Sequence, residues 1–407
     1  MLLAADCGGF DRERSMAELW ALAESNEMQP VAQVVQKREK PDGATYLGEG
    51  RLEEAKALCE SLEVETCVFD DELTGVQLRN LEQALDRPVL DRTGLILEIF
   101  AKRAVTNEGK LQTELARLHY RLPRLIGLGG DLSRQGGGGA GGGGARRGAG
   151  ESKLEYDRRH IRRRIEALQE KLEELQLRRA QTRRSRQKNG VPVVALVGYT
   201  NVGKSSLLNR ICGAEIFAQD MLFATLDPTA RKTTLPSGLQ VIFVDTVGFV
   251  SRLPHNLVEA FKSTLEEAAY ADLILKVCDL ADPECASQLA VTDDVLNQLG
   301  CEDIPQTVVY NKADKAPDAV LFDTDALRIS AATGDGVETL LQKIDEILSD
   351  RVRCIQILLP YDKMNLANIL RERGTVTEEE YRDAGLFCRA TVRREDLHLF
   401  LPYQYLE

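Results

Sequence analysis

The chain has 407 residues, 43% of them hydrophobic and 29% charged, and carries a formal net charge of −12. That length fits about two to four domains, and the apolar share suffices for packed cores, which excludes wholesale disorder. Aromatic residues make up 5%, with a single tryptophan, Trp20, which argues against an aromatic-lined carbohydrate site or a base-stacking platform.

No apolar run reaches the roughly 18 to 20 residues of a membrane helix. The opening stretch, residues 1–10, is too short and turns acidic too soon for a secretory signal. The nine cysteines are odd in number and form no C-x-x-C pair. Together these features predict reduced thiols in a cytoplasmic protein. The four histidines, His119, His160, His255 and His398, lie far apart, which argues against a zinc site built on them. Charge is unevenly spread. Residues 146–188 hold 15 Lys/Arg against 7 Asp/Glu, a local +8, which leaves −20 for the rest of the chain. One basic element on an acidic body suggests a polyanion contact at that place; a merely solvated charged helix is the alternative.

Taken in chain order, residues 2–5, 31–35, 66–69 and 88–90 read as strands and 15–25, 51–62 and 74–85 as helices, an alternation that predicts a small parallel α/β domain over 1–90. Residues 95–103 read as an apolar helix. Leu111, Leu115, Leu118 and Leu122 then form one helical stripe that Pro123 ends or kinks. Residues 126–150 are low-complexity and glycine-rich, flanked by Arg134, Arg146 and Arg147. Glycine loses the most backbone entropy on ordering, so a flexible loop is expected there. Beyond it, Leu154, Ile161, Ile165, Leu168, Leu172 and Leu175 fall on a 3-4 repeat, the natural hairpin partner of the leucine stripe. Between them lie Arg158, Arg159, Arg162, Arg163 and Arg164, a basic outer face. From 189 to 350 strands and helices alternate as in a buried parallel sheet, with 193–197, 239–244, 273–278, 307–310 and 327–330 as strands and Pro236-Ser237-Gly238 as a hairpin turn. Residues 351–407 predict a strand (354–359), a helix (363–373) and a strand (386–392), a small α+β appendix. The fold class is α/β: an N-terminal α/β domain (1–90), a helical hairpin (91–188), a P-loop nucleotide-binding domain with a parallel-type sheet (189–350) and an α+β tail (351–407).

The strongest chemical signal is Gly198, Tyr199, Thr200, Asn201, Val202, Gly203, Lys204 and Ser205, which follows a strand and opens a helix. Backbone amides of such a loop cradle a β-phosphate, Lys204 places its charge on the β- and γ-phosphates, and the Ser205 hydroxyl ligates Mg²⁺. Asn311, Lys312, Ala313 and Asp314 follow another strand. A carboxylate at Asp314 accepts from both N1–H and N2–H of guanine, donors that adenine lacks. Asn311 would brace the loop and approach N7, the Lys312 stem would lie on the ring, and the Ser330-Ala331-Ala332 backbone fits guanine O6. Asp245, Thr246, Val247 and Gly248 end a further strand, where Asp245 would hold Mg²⁺ through water and the Gly248 amide would meet the γ-phosphate. Among Phe223, Ala224, Thr225, Leu226 and Asp227, Thr225 is the candidate second hydroxyl on Mg²⁺, with Thr229 as its rival. Lys204, Thr225 and Gly248 are thus the expected catalytic set. Phe249 stands where many GTPases place a water-orienting glutamine, which predicts slow hydrolysis by the isolated chain and acceleration by a partner.

These motifs, with Leu222-Phe223-Ala224-Thr225-Leu226-Asp227-Pro228-Thr229 and Leu253-Pro254-His255, resemble the HflX GTPases. So do Tyr46-Leu47-Gly48-Glu49-Gly50, Asp91-Arg92-Thr93-Gly94 and Leu132-Ser133-Arg134-Gln135-Gly136-Gly137-Gly138. The resemblance spans nearly the whole chain and is least in the C-terminal tail. It implies the same four-part layout and a protein that binds the large ribosomal subunit, with the hairpin tip near the peptidyl-transferase centre, and that splits or rescues stalled ribosomes. The rRNA contact would run through the basic hairpin (Arg134, Arg146, Arg147, Arg158, Arg159, Arg162 and Arg163), with the protein a monomer. Ala149 and Ser152 replace the proline and threonine usual in the family, a change expected to loosen the tip. A ribosome-assembly GTPase and a protein-binding signalling switch are the alternatives; Asp314 disfavours an ATP-dependent enzyme.

Overall fold

The computed structural model describes residues 1–8, 11–125, 145–188, 191–213, 222–223, 229–252, 268–319, 326–349, 352–394 and 396–405, with the side chains of 145–154, 180–188, 349, 352, 373, 375 and 393 outside that description. It divides into two compact units. One comprises Met1–Glu174 together with Met221–Phe223 and Ser251–Phe261; the other comprises Leu175–Asp220, Ala224–Val250 and Lys262–Glu407.

The first unit opens with a parallel sheet of order β2-β1-β3-β4, made of β1 (Leu2–Asp6), β2 (Gln33–Lys37), β3 (Cys67–Phe69) and β4 (Val89–Asp91). β1 lies inside the sheet and buries Leu2, Leu3, Ala4 and Ala5, as a near-continuous apolar run requires. The helices α1 (Arg12–Ser25), α2 (Glu49–Ser61) and α3 (Gly75–Leu85) intervene, as the alternation predicted. Their starts follow from capping. Asp11 accepts from Arg14 N, and Thr74 and Gln77 form a capping box. The second strand starts two residues later than expected, because Val31 is exposed while Val34 is the residue buried in the core.

α4 (Arg92–Arg103) and α5 (Asn107–Arg124) follow, and α6 (Ala145–Lys188) is the long basic helix. Its start corrects the loop read over 126–150. Helix runs from residue 145, so the alanines, arginines and Glu151 outweigh the two glycines there. Leu111, Leu115, Leu118 and Leu122 of α5 pack with Ile161, Ile165, Leu168 and Leu172 of α6, the predicted hairpin seam. Leu115, Ile161, Ile165, Leu168 and Leu172 are the buried members, and each contributes about 1.5–3 kcal/mol. Asp91 anchors the hairpin to the sheet. Fully buried, it accepts from Leu73 N, Gly94 N, Tyr120 Oη and Arg124 Nη2 at 3.0, 2.7, 2.8 and 2.7 Å.

The second unit holds a six-stranded sheet of order β10-β9-β8-β5-β7-β6. Its strands are β5 (Val193–Gly198), β6 (Thr229–Thr234), β7 (Gln240–Asp245), β8 (Leu273–Asp279), β9 (Gln306–Asn311) and β10 (Leu327–Arg328). All pairs are parallel except β6 with β7, which join through the predicted hairpin turn. β6 was not anticipated: it is an edge strand with little buried surface, so no apolar run announces it. α7 (Lys204–Cys212), α8 (Cys285–Gln298) and α9 (Val337–Ser349) intervene. The tail forms an antiparallel sheet of order β11-β13-β12 from β11 (Val352–Leu359), β12 (Thr375–Arg382) and β13 (Gly385–Arg393), with α10 (Met364–Arg373) between β11 and β12. β12 is the other missed strand, its alternation hidden by Glu378, Glu379 and Glu380. Among the described residues no helix is long and apolar enough to cross a membrane.

Candidate nucleotide site

The candidate residues gather at the carboxyl ends of β5, β7 and β9, where open parallel sheets bind ligands. β5 ends at Gly198 and α7 begins at Lys204, so the intervening turn carries the phosphate-loop residues. The Lys204 ammonium is buried and donates to the carbonyls of Tyr199 and Gly198 at 2.8 and 3.0 Å. Burial lowers its pKa to about 8, with Asp245 pulling the other way. The Ser205 hydroxyl donates to Asp245 Oδ2 at 2.6 Å. Thr229, the rival hydroxyl, stands opposite Asp245 in the β6–β7 register.

Two glycines are dictated by neighbours with functional roles. Gly203 has φ +92°, and a Cβ there would lie 2.3 Å from Asn311 Nδ2. A Cβ on Gly248 would lie 2.8 Å from Thr200 Cα and 2.9 Å from Lys204 Nζ. The segment after β7 is stitched to the phosphate loop by its backbone. Phe249 N–H donates to Gly198 O at 3.1 Å, and Thr200 N–H donates to Phe249 O at 2.6 Å. Phe249 is itself buried, as are Thr246 and Val247. The Thr200 hydroxyl oxygen is buried with no hydrogen-bond partner among the described residues.

The base-reading residues are tied to the phosphate loop. Asn311 Nδ2 donates to Val202 O at 2.8 Å, and its Oδ1 accepts from Ala331 N–H at 2.9 Å. One side chain thus braces both loops. Ser330 Oγ donates to Asp314 Oδ1 at 2.6 Å, and this bond, ahead of Lys315 and Lys312, holds the Asp314 carboxyl below its usual range. Asp314 is therefore ionised and able to accept from a base.

The structure adds two residues that sequence reasoning missed. Asp279, the last residue of β8, pairs with Lys312 Nζ at 2.7 Å and so fixes the lysine stem. Its position at the end of an apolar run was the available signal. Arg210 near the end of α7 donates Nε to Ala331 O at 3.0 Å and also bonds Ala332 O; nothing local in the sequence announces it. Phe223 does not join the set. It is buried in the first unit with its ring edge-to-face with Phe100 at 4.7 Å. Ala224, Thr225, Leu226 and Asp227 lie outside the described residues.

Four family models match the chain in succession: a GTP-binding GTPase N-terminal region over residues 13–101, a GTP-binding GTPase middle region over 103–186, a 50S ribosome-binding GTPase over 193–312 and an HflX C-terminal domain over 318–393. The GTPase HflX of Caldanaerobacter subterraneus subsp. tengcongensis is 48% identical, over 97% of this chain and 91% of that protein. The chain belongs to the HflX family of GTPases. The HflX protein of Lacrimispora saccharolytica is 46% identical over 95% of this chain and 91% of its own length, and that of Escherichia coli 38% over 92% and 89%. Membership of the HflX family makes the chain an α/β P-loop GTP hydrolase. It also extends the resemblance to the tail, which the motifs alone matched least.

On the hairpin, Arg159, Arg162 and Arg163 are exposed on α6, Arg158 is half-buried and 3.7 Å from Glu155, and Arg164 pairs with Glu114 at 2.7 Å. Arg134 and the side chains of Arg146 and Arg147 lie outside the described residues.

Proposed function

We propose that this chain is a ribosome-directed GTPase. It binds GTP with Mg²⁺ at the strand-end site, docks on the large ribosomal subunit through the basic face of α6, and couples hydrolysis to splitting, rescue or recycling of ribosomes. The observation that carries the reading is the Asn311 brace, which joins the phosphate loop to the base-reading loop, together with the 50S ribosome-binding GTPase model over residues 193–312. The hydroxyl and carboxylate of Ser205 and Asp245 suit a hard divalent cation, which prefers oxygen ligands. Ser205 would hold Mg²⁺ directly, with Thr225 as the second hydroxyl and Asp245 acting through water. The ion, when bound, neutralises charge on the β- and γ-phosphates.

Lys204 spreads further positive charge over the same oxygens, Gly248 presents its amide to the γ-phosphate, and Asp314 selects guanine. Phe249 offers no hydrogen bond to an attacking water, and it is buried against the phosphate loop. The isolated chain therefore turns over slowly, and the ribosome supplies order or a group in trans. Ordering of the 245–252 segment by GTP favours the bound form, and loss of the γ-phosphate releases it.

The test is GTP hydrolysis with and without large subunits, paired with gradient sedimentation of 70S particles. The reading expects stimulation by the large subunit and conversion of 70S particles to subunits with GTP. Stimulation without splitting points to an assembly role, and a rate indifferent to ribosomes removes the partner. Contacts through Arg159, Arg162 and Arg163 are to phosphates, so co-sedimentation falls steeply with salt.

A further inference from the structure

Thr200 stands third in the phosphate loop and is 6% exposed. It is fixed from two sides. Its backbone N–H donates to Phe249 O at 2.6 Å, beside the parallel bridge between Tyr199 and Phe249. Its methyl packs toward Gly248. A Cβ on Gly248 would lie 2.9 Å from Thr200 Cγ2 and also 2.9 Å from Lys204 Nζ. The methyl and the ammonium thus converge on one point, at the glycine whose amide is read as a γ-phosphate contact. Threonine is branched at Cβ and stiff at χ1, so seating the methyl there also sets the direction of the hydroxyl.

Among the described residues nothing bonds that hydroxyl, although its oxygen is buried. The other hydroxyls around the site are satisfied by the chain itself. Ser205 Oγ donates to Asp245 Oδ2 at 2.6 Å, Thr246 Oγ1 to Leu196 O at 2.7 Å, and Ser330 Oγ to Asp314 Oδ1 at 2.6 Å. A buried hydroxyl without a hydrogen bond costs stability, and a valine of the same shape would fill the space without that cost. An orphaned donor of this kind calls for an explanation, and its place in an anion-cradling loop supplies one.

We propose that the Thr200 hydroxyl donates a hydrogen bond to a γ-phosphoryl oxygen of GTP, so that a side chain of the loop reads the terminal phosphate alongside the Gly248 amide. The inference rests on the GTPase reading above. In that reading the loop amides meet the β-phosphate, which GTP and GDP share. The Thr200 contact lies at the Gly248 end, where only the triphosphate reaches, and so separates the two nucleotides.

The experiment measures, on the full chain with Mg²⁺, the dissociation constants of GDP and of a non-hydrolysable GTP analogue, with the denaturant midpoint of the nucleotide-free chain alongside. Thr200→Val keeps the shape and removes the hydroxyl. It is expected to weaken the analogue about tenfold, to leave GDP within about twofold, and to unfold at the same or a higher denaturant concentration. Thr200→Ser keeps the donor and is expected to hold the analogue within about threefold of the unsubstituted chain. Thr200→Ala gives the same selective loss, so the idea stays testable if Thr200→Val fails to fold. Equal weakening of both nucleotides, an unchanged analogue affinity in Thr200→Val, or a Thr200→Ser as weak as Thr200→Val overturns the inference. If the unsubstituted chain binds neither nucleotide, the GTPase reading falls with it; if it binds both and Thr200→Val matches it, this inference alone falls.

Discussion

At the carboxyl ends of the first sheet, Asp70 and Asp91 are both fully buried, and the chain's own donors surround them: Arg12, Arg92 and Arg252 on one, Tyr120 and Arg124 on the other. At the carboxyl ends of the second sheet, Asp245 accepts from the Ser205 hydroxyl and Asn311 spans two loops, while Gly203 and Gly248 keep the backbone close to Lys204. The topological position is the same, and open parallel sheets favour ligands there. The outcome differs with the chain's local supply of cations. Where arginines stand beside the carboxylates the strand ends become a lock; where glycines and one buried lysine stand there, they become a cradle for an anion.

The contrast makes predictions of decreasing size. Lys204→Ala removes a buried cation from the cradle and is expected to weaken GTP and GDP binding by about 3 kcal/mol or more, a hundredfold or greater change in a titration with fluorescent nucleotide. Nucleotide affinity within a few-fold of the original would mean that Lys204 is structural. Asp70→Asn belongs to the lock, and its main effect should be on stability: a loss of about 3–5 kcal/mol, because buried arginines lose their counter-charge, read by denaturant unfolding, with GDP affinity kept. The pH dependence follows from the same carboxyl. Its folded pKa lies below the ordinary value of about 3.9, so its contribution is full above that pH and is lost as pH falls through the folded value. The unsubstituted chain should therefore lose more stability on acidification from about pH 5 to pH 2 than Asp70→Asn. The smallest effect is in protons. The Lys204 pKa is lowered to about 8, and phosphate oxygens would raise it again. Nucleotide binding should then take up a fraction of a proton near about pH 8 and almost none near about pH 6.5. Calorimetry in buffers of different ionisation enthalpy reads this directly, and proton release would contradict it.

Much of the second sheet was legible because its signals are local. A strand, Gly198–Ser205 and a helix are contiguous, and Asn311–Asp314 directly follows β9. The hairpin was legible for the same reason, since the leucine and isoleucine spacing of α5 and α6 is a property of each helix alone. What escaped depends on neighbours distant in sequence. Asp279 matters through Lys312, and Arg210 through carbonyls more than 120 residues away. β6 and β12 lack an apolar run because each lies at the edge of its sheet. The role of Asp70 was hidden most deeply. Nothing local to Asp70 announces it, and only the fold brings Arg12, Arg92 and Arg252 onto it.

The central claim is that Asp314 and the loops braced by Asn311 make the second sheet's strand ends a guanine nucleotide site. Competition between GDP and ADP for the purified chain, with Mg²⁺ present and with Asp314→Asn alongside, addresses it most directly. The account predicts that GDP binds at least about a thousandfold more tightly than ADP, and that Asp314→Asn loses most of that preference because an amide cannot accept from both N1–H and N2–H. Comparable affinity for the two nucleotides, or a preference untouched by Asp314→Asn, would contradict it.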